Sequence, residues 1–519
     1  MYLTQALKRT VQIDSRGVAT QCAGRERTWH ECGERVAKLA GALRGLGVGD
    51  GERVAVLALN SDRYFEYFYA VPWAGGVFVP VNIRLAPPEV AFWLNDSGTE
   101  ILFIDDNFLH MLEPLDGQLE TVRDMVYMGD GPTPDGLHNY EEILGAADAV
   151  PDALRGGDDL AGLFYTGGTT GRSKGVMLSH TNLICNSYNV IGGMHFRPGI
   201  RWLHAAPMFH IADGLAVFGV TMVTGTHIFI PGFTPEDSLR AIEDHGVTNG
   251  LFVPTMMNAL VNHPDIEDFD LSSLRAVTYG ASPMPEAVIR RAMEVIPNCE
   301  FTHAYGQTEC APLSTHTGPE YHVFEGPNAG KYKSAGRAAL GVEVQICDDD
   351  GNEVPRGDVG EVCVRGPNIM LGYWNRPDLT AEAIRDGWMR SGDGGYMDED
   401  GFIYIVDRMK DMIISGGENI YSAEVEDVLH QIPEVVEAAV IGLPDEEWGE
   451  RVHAIVRLRE GDNLDAENII AHCRDRIARF KCPKGVSFRE EPMPLSGAGK
   501  ILKTELRKPY WEGKEKQVN

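Results

Sequence analysis

A chain of 519 residues is too long for one ordinary domain of roughly 100 to 200 and predicts about two to four structural units. With 43% apolar and 24% charged residues the composition is that of a globular protein, which excludes wholesale disorder, collagen and coiled coil. The net charge of −30 disfavours nucleic acid and anionic membrane as partners, so any polyanionic ligand has to be held by locally arranged donors. Nine cysteines, at 22, 32, 185, 299, 310, 347, 363, 473 and 482, stand singly without a CxxC pair, the pattern of a reduced cytoplasmic chain. The N-terminus has no apolar core of a signal peptide. The most apolar long stretch, Leu215 to Ile230, is broken by Gly219, Thr221, Thr224, Gly225, Thr226 and His227, so no membrane span is expected.

Along the chain, the apolar run Val54 to Leu59 predicts a strand, Arg63 to Trp73 a helix, and Val77 to Val81 a second strand, the repeating unit of a parallel sheet. Pro87-Pro88-Glu89 opens another helix and Glu100 to Ile104 reads as the next strand. The first 230 residues are expected to be α/β and doubly wound. Residues 129 to 160, rich in Gly, Pro and Asp, read as a long surface connection into a strand at Leu160 to Tyr165. From about 336 to 406 short strands alternate with turns such as Asp350-Gly351-Asn352, predicting a small β-barrel-like section. After Asp407 the chain returns to mixed strands and helices in a length suited to a small α+β domain. The expected division is a large domain over 1–407 and a small mobile one over 408–519, with the Lys-rich stretch from Lys500 to Lys516 a solvated face.

The most informative string is Tyr165-Thr166-Gly167-Gly168-Thr169-Thr170-Gly171-Arg172-Ser173-Lys174-Gly175, directly after an apolar strand. Its glycines let successive N–H groups face inward, while threonine hydroxyls and Lys174 add donors, which is the composition of a phosphate cradle. The Gly-Lys-Ser/Thr ending of a Walker A loop is missing. Further strings follow in order: Ala206-Pro207-Met208-Phe209-His210, Tyr279-Gly280-Ala281-Ser282, Tyr305-Gly306-Gln307-Thr308-Glu309, Ser391-Gly392-Asp393, Asp407-Arg408-Met409-Lys410-Asp411, Ser415-Gly416-Gly417-Glu418 and Ser496-Gly497-Ala498-Gly499-Lys500.

Taken together, these strings resemble the signature motifs of the adenylate-forming superfamily, in its acyl-CoA synthetase and 4-coumarate-CoA ligase-like branch. The departures, Gly168 for the usual Ser or Thr and Ser173 for the frequent Pro, leave the surrounding donors in place. The resemblance implies an ATP-dependent acid–CoA ligase using ATP, Mg²⁺ and CoA. Thr166, Gly167, Gly168, Thr169, Thr170, Gly171 and Lys174 would hold the phosphates, with Thr166 and Glu309 at the metal. Gly280, Ala281, Ser282, Tyr305, Gly306 and Gln307 would border the adenine, Asp393 the ribose, and Arg408 the ribose or a phosphate. Thr308 and Lys500 would act at the α-phosphate. Lys410 would be the hinge, and Gly416 and Gly417 would line the pantetheine tunnel. His210 marks the acid pocket, where amino-acid-activating relatives place Asp, and so argues against an amino-acid substrate. With Tyr279, Gly306, Ala311 and Pro312 it is compatible with a medium or long acyl chain or with an arylpropenoate of the coumarate or ferulate type. Two other readings stand beside this one: transfer of the acyl group to a separate carrier protein, and a non-catalytic nucleotide-binding relative. The second would predict loss of Lys500, Glu309 or Asp393, and all three are present. The resemblance allows a monomer or a homodimer.

Overall fold

The structure, a computed structural model, describes residues 1–166, 173–194, 196–282, 284–408, 411–415, 418–445, 448–496 and 501–511, with the backbone alone at 408, 414, 418 and 419. Two large sheets face one another. The first has eight strands in the order Gly372–Tyr373, Lys174–Ser179, Leu160–Thr166, Val77–Pro80, Arg53–Leu57, Thr99–Ile104, Asp124–Tyr127 and His138–Asn139, with the run from Leu160–Thr166 onward parallel. The second has nine, and six neighbouring strands in it are parallel: Glu300–Gly306, Ala276–Gly280, Asn249–Leu251, Arg201–His204, Thr226–Phe229 and Val18–Cys22.

Between the sheets lies the helix Asp62–Ala74. Ser61 starts it by accepting the Tyr64 N–H, and Gly75, at φ 104°, ends it in a left-handed turn. The helix is buried along nearly its whole length: Tyr64, Phe65, Tyr67, Phe68 and Tyr69 are all fully enclosed, and its Asp62 and Glu66 carboxylates are buried against Arg25 and Arg35. Phe68 packs on Phe78 of one sheet and on Phe218 beside the other, each ring contributing about 1.5 to 3 kcal/mol of burial. The Tyr67 hydroxyl donates to the Val54 carbonyl at 2.6 Å and accepts from the Val79 N–H, so the helix is also pinned in register.

The β-rich section is a five-stranded antiparallel sheet built from Glu343–Cys347, Gly360–Arg365, Ile384–Arg385, Trp388–Met397 and Ile403–Arg408. Beyond it, Ile413–Ser415, Glu418–Ile420, Val435–Asp445, Gly449–Leu458 and Gly485–Phe488 form a further sheet with its own core around Ile413, Val425, Leu429, Val440 and Ile469. The expected α/β architecture with a small C-terminal domain is therefore observed.

Two expectations need correction. The connection 129–160 contains the helix Tyr140–Ala146, started by Asn139 and held by buried Tyr140 and Leu144 one turn apart, a signal hidden among the Gly and Pro residues. Nor is the Lys-rich end wholly a solvated face. Lys503 starts the helix Lys503–Trp511 and pairs with Glu426 at 2.8 Å. Burial pulls its ammonium down, but the Glu426 and Asp407 charges outweigh it and hold it above the ordinary lysine value.

Candidate active site

The six parallel strands of the nine-stranded sheet end along one edge, so the segments that follow them, 206–210, 280–282 and 306–309, emerge side by side. That edge is where open α/β sheets form ligand crevices. Close backbone approach sets its shape. A Cβ at Gly280 would lie 2.2 Å from the Ala304 carbonyl oxygen, and one at Gly306 would lie 1.8 Å from that of Pro312, so a side chain fits at neither position. Ala281 takes a left-handed φ of 70°, a conformation that costs a non-glycine residue about 1 to 2 kcal/mol and turns the chain outward.

From this edge one arm runs to the β-rich section. The Tyr305 hydroxyl donates to Asp393 Oδ2 at 2.8 Å, and burial, reinforced by that carboxylate, pushes the phenol well above its usual value, so it stays a donor. Gln307 Nε2 donates to the Ser391 carbonyl at 3.4 Å, and the Asp393 N–H donates to Ser391 Oγ at 3.0 Å. The Glu361 carboxylate accepts the Gly392 N–H at 2.9 Å and Arg390 at 3.0 Å, fixing the turn from beneath. Asp393 faces Arg408 across the antiparallel ladder. A carboxylate held in this way, beside a glycine with open space where a Cβ would be, can accept two neighbouring hydroxyls of a sugar.

A second arm runs to the eight-stranded sheet. Thr166 and Lys174 are register partners at the mouth of the hairpin. The Lys174 ammonium lies 4.9 Å over the Tyr373 ring, and the Tyr373 hydroxyl donates to Glu309 Oε1 at 2.8 Å. Burial raises this phenol too, with the Glu309 charge adding to it. Asn186 and Asn368 both donate to the carbonyls of Cys310 and Leu313, bracing the short turn that carries Thr308 and Glu309.

Glu309 is 8% exposed, and among the described residues its second carboxylate oxygen carries no hydrogen bond. No cluster of three His, Cys, Asp or Glu side chains surrounds it among the described residues. One hard oxygen donor without a protein cage suits Mg²⁺, which takes its other ligands from phosphate and water.

On the acid side, His210 is half-buried and starts the short helix Ile211–Gly214, its Nδ1 accepting the Ala212 N–H at 3.3 Å. Tyr279 and Ala311, expected to line the pocket, are instead 1% and 0% exposed, and their side chains belong to the packed interior behind it. Tyr279 stacks on His303 with centroids 4.9 Å apart. Its hydroxyl meets His322 Nε2 at 2.8 Å, while His322 Nδ1 donates to the Gly318 carbonyl.

The structure thus brings Thr166, Lys174, Glu309, Thr308, Gln307, Gly306, Tyr305, Gly280, Ala281, Ser282, Asp393 and the backbone of Arg408 around one edge. Gly167, Gly168, Thr169, Thr170, Gly171, Lys410, Gly416, Gly417 and Lys500 lie outside the described residues. Sequence reasoning passed over Tyr373, Glu361, Asn186 and Asn368. Of these only Tyr373, in the aromatic pair Tyr373-Trp374 after Gly372, carried a local signal.

Residues 7–374 match the profile of AMP-binding enzymes, and residues 424–500 match that of the AMP-binding enzyme C-terminal domain. The chain belongs to the AMP-binding enzyme family. The expected adenylate-forming identity, in the acyl-CoA synthetase branch, is borne out. A feruloyl-CoA synthase of Amycolatopsis sp. is 41% identical over 503 residues, covering 97% of this chain and 98% of that protein. A long-chain-fatty-acid–CoA ligase of Mycobacterium tuberculosis is 37% identical over 477 residues, 91% of each. Among solved structures, ATP-bound MatB from Rhodopseudomonas palustris superposes with a TM-score of 0.87 at 30% identity, covering 98% of this chain and 99% of that one. The AMP-binding profile spans both large sheets and ends at the strand carrying Tyr373. No helix among the described residues is long and apolar enough to cross a membrane.

Proposed function

We propose that this chain is an AMP-forming acid–CoA ligase working with ATP, Mg²⁺ and CoA, and that its acid is a ferulate-type arylpropenoate or a medium- or long-chain fatty acid. The observation that carries the reading is the meeting of two arms, Lys174–Tyr373–Glu309 and Tyr305–Asp393, at the single turn 306–309. In this reading Lys174 is the phosphate-side cation and Asp393 the ribose-side carboxylate, and the contacts of both lead to that one turn. Relatives named for feruloyl-CoA and long-chain fatty acyl-CoA synthesis support the acid class.

A carboxylate is a poor acyl donor because its leaving group would be oxide. In the first half-reaction the acid oxygen attacks the α-phosphorus of ATP and pyrophosphate leaves, giving an acyl-AMP with a good leaving group. In the second the CoA thiol attacks the acyl carbon and AMP leaves. Thr166, Lys174 and the loop 167–171 hold the β- and γ-phosphates, and Asp393 and Arg408 orient the ribose. Mg²⁺ on Glu309 and Thr166 supplies positive charge that offsets the phosphate oxygens. Thr308 and Lys500 donate to the α-phosphate oxygens as charge develops there. His210 borders the acid. The division falls at 407/408. The small domain turns about Lys410, withdrawing Lys500 and bringing Gly416 and Gly417 to the thiol. The site of action is the cytoplasm, in keeping with cysteines spread singly along the chain.

The test is acid-dependent ATP–pyrophosphate exchange followed by thioester formation, scored by kcat/KM over ferulate, coumarate and a fatty-acid series. AMP release that ignores the acid would refute a ligase. Thioester formation on a holo-carrier protein but not on free CoA would reassign the acceptor. Sedimentation velocity reads whether the working unit is a monomer or a homodimer.

A further inference from the structure

Asn60 stands where the two large sheets meet. It follows the strand Arg53–Leu57 of one sheet and precedes Ser61, which starts the central helix, yet its side chain reaches the other sheet. Asn60 Nδ2 donates to the carbonyls of His204 at 3.1 Å and Ala206 at 2.9 Å, and its Oδ1 accepts the Met208 N–H at 2.8 Å. Its own N–H donates to the Pro231 carbonyl. The residue is 6% exposed, so these bonds have no competition from water. One amide thus clamps alternate positions of the segment that ends at His210.

The helix Ile211–Gly214 that His210 starts has four residues, far too few to be stable by itself, so its orientation is set by what it is tied to. Asp213, fully buried in that helix, accepts Trp202 Nε1 at 3.1 Å and faces His204 Nδ1 at 2.7 Å. Behind it the chain continues from His204 Nε2 to His227 Nδ1 at 3.0 Å and from His227 Nε2 to Thr221 Oγ1 at 3.1 Å, with the His204 ring stacked on Phe229. His210 is therefore held from both flanks, by Asn60 before it and by Asp213 after it. None of the hydrogen bonds of Asn60 or Asp213 goes to Tyr305, Asp393, Lys174 or Glu309.

We propose that Asn60 and Asp213 are positioning residues that fix the acid-side wall of the site and thereby set which acid the ligase accepts, independently of the nucleotide. This rests on the reading above that His210 borders the acid. A displacement of about 1 Å at such a wall can cost up to about 10²-fold in rate.

The experiment uses the full-length protein in ATP–pyrophosphate exchange, with ferulate and palmitate as probes, and measures KM for acid, KM for ATP and the thermal midpoint. Asn60→Ala is expected to raise the KM of the preferred acid by about tenfold and to change the ferulate-to-palmitate ratio, while KM for ATP stays within about twofold. Asn60→Asp, which keeps the acceptor for Met208 but sets a carboxylate oxygen against the His204 and Ala206 carbonyls, is expected to be at least as severe as Asn60→Ala, and Asp213→Asn to fall between Asn60→Ala and wild type. If Asn60→Ala does not fold, Asp213→Asn decides by the same split. A parallel rise in both KM values, or a lowered thermal midpoint with both KM values unchanged, would overturn the clamp and leave the ligase reading standing. Absence of exchange by the wild-type protein with every acid tried would overturn the ligase reading and the clamp with it.

Discussion

On the nucleotide side, the groups that would meet ATP are fixed directly by side chains that other strands bring against them. Tyr305 reaches Asp393 directly, Glu361 ties down Gly392, and Tyr373 bridges to Glu309. On the proposed acid side, the segment at His210 is fixed from behind, by an asparagine that follows a strand of the opposite sheet and by a buried aspartate–histidine chain. On the proposed reading the first arrangement leaves little to vary, because each supporting bond ends on a group assigned to the nucleotide. The second separates the wall from its support, and on the proposal above the wall would be re-aimed without disturbing ATP.

The largest test of this contrast is Lys500, which the family resemblance places against both the acid and the α-phosphate. Lys500→Ala is expected to lower acid-dependent ATP–pyrophosphate exchange by roughly 10²-fold or more, the scale of a lost transition-state donor. Thioester formation from supplied acyl-AMP should fall less, and equal losses would remove Lys500 from that role. Asp393→Ala should come next. Losing charge-assisted hydrogen bonds to a ribose is expected to raise KM for ATP by about 10- to 100-fold with little change in KM for the acid, read from the same exchange assay. Tyr305→Phe removes one hydroxyl and leaves the ring, so a rise of about 3- to 10-fold in KM for ATP is expected. A shift in acid KM instead would erase the separation of the two walls.

The smallest effect is absent at neutral pH. Burial pushes His322, behind Tyr279, down to about 4, and His180 likewise to about 4 although Asp159 pulls it up. Both folded values lie below the unfolded value of about 6.5, so the unfolded chain takes up the proton first. The stability tied to these groups is fully present above about pH 6.5 and is lost as the pH falls toward 4. Urea midpoints should therefore drop between about pH 7 and about pH 5, and His322→Gln should lessen the drop. Parallel profiles for variant and wild type would show that His322 carries none of it.

Much of this was legible in the sequence where the signal is local. The strand–helix–strand unit at Arg53–Pro80 occupies consecutive residues and forms as its pattern implies, and the motif residues Tyr305 and Asp393, each read from a short string, meet through a hydrogen bond. What escaped is held across long separations. Asn60 bonds to Met208, 148 positions away, and Tyr373 to Glu309, 64 away, and no periodicity encodes such pairs. Asn60-Ser61 reads as an ordinary helix start, but Ser61 alone performs that task, which leaves the asparagine for the other sheet. Tyr279 shows the opposite error. An aromatic next to a motif glycine reads as a pocket wall, yet it is packed between two histidines. Lys503 misleads in the same way, because charge composition alone says nothing of a partly buried carboxylate such as Glu426 waiting 77 positions earlier.

The contact at Gly280 bears on how this enzyme could be redesigned. With a carbonyl oxygen 2.2 Å from where its Cβ would stand, any substitution there forces two neighbouring strands apart before it can reshape a pocket. A mutagenesis library aimed at new acids would spend its diversity poorly at Gly280 and at Gly306, where a Cβ has no room. The productive positions are those around His210, where a changed side chain meets a loop anchored from behind instead of the backbone of the sheet itself.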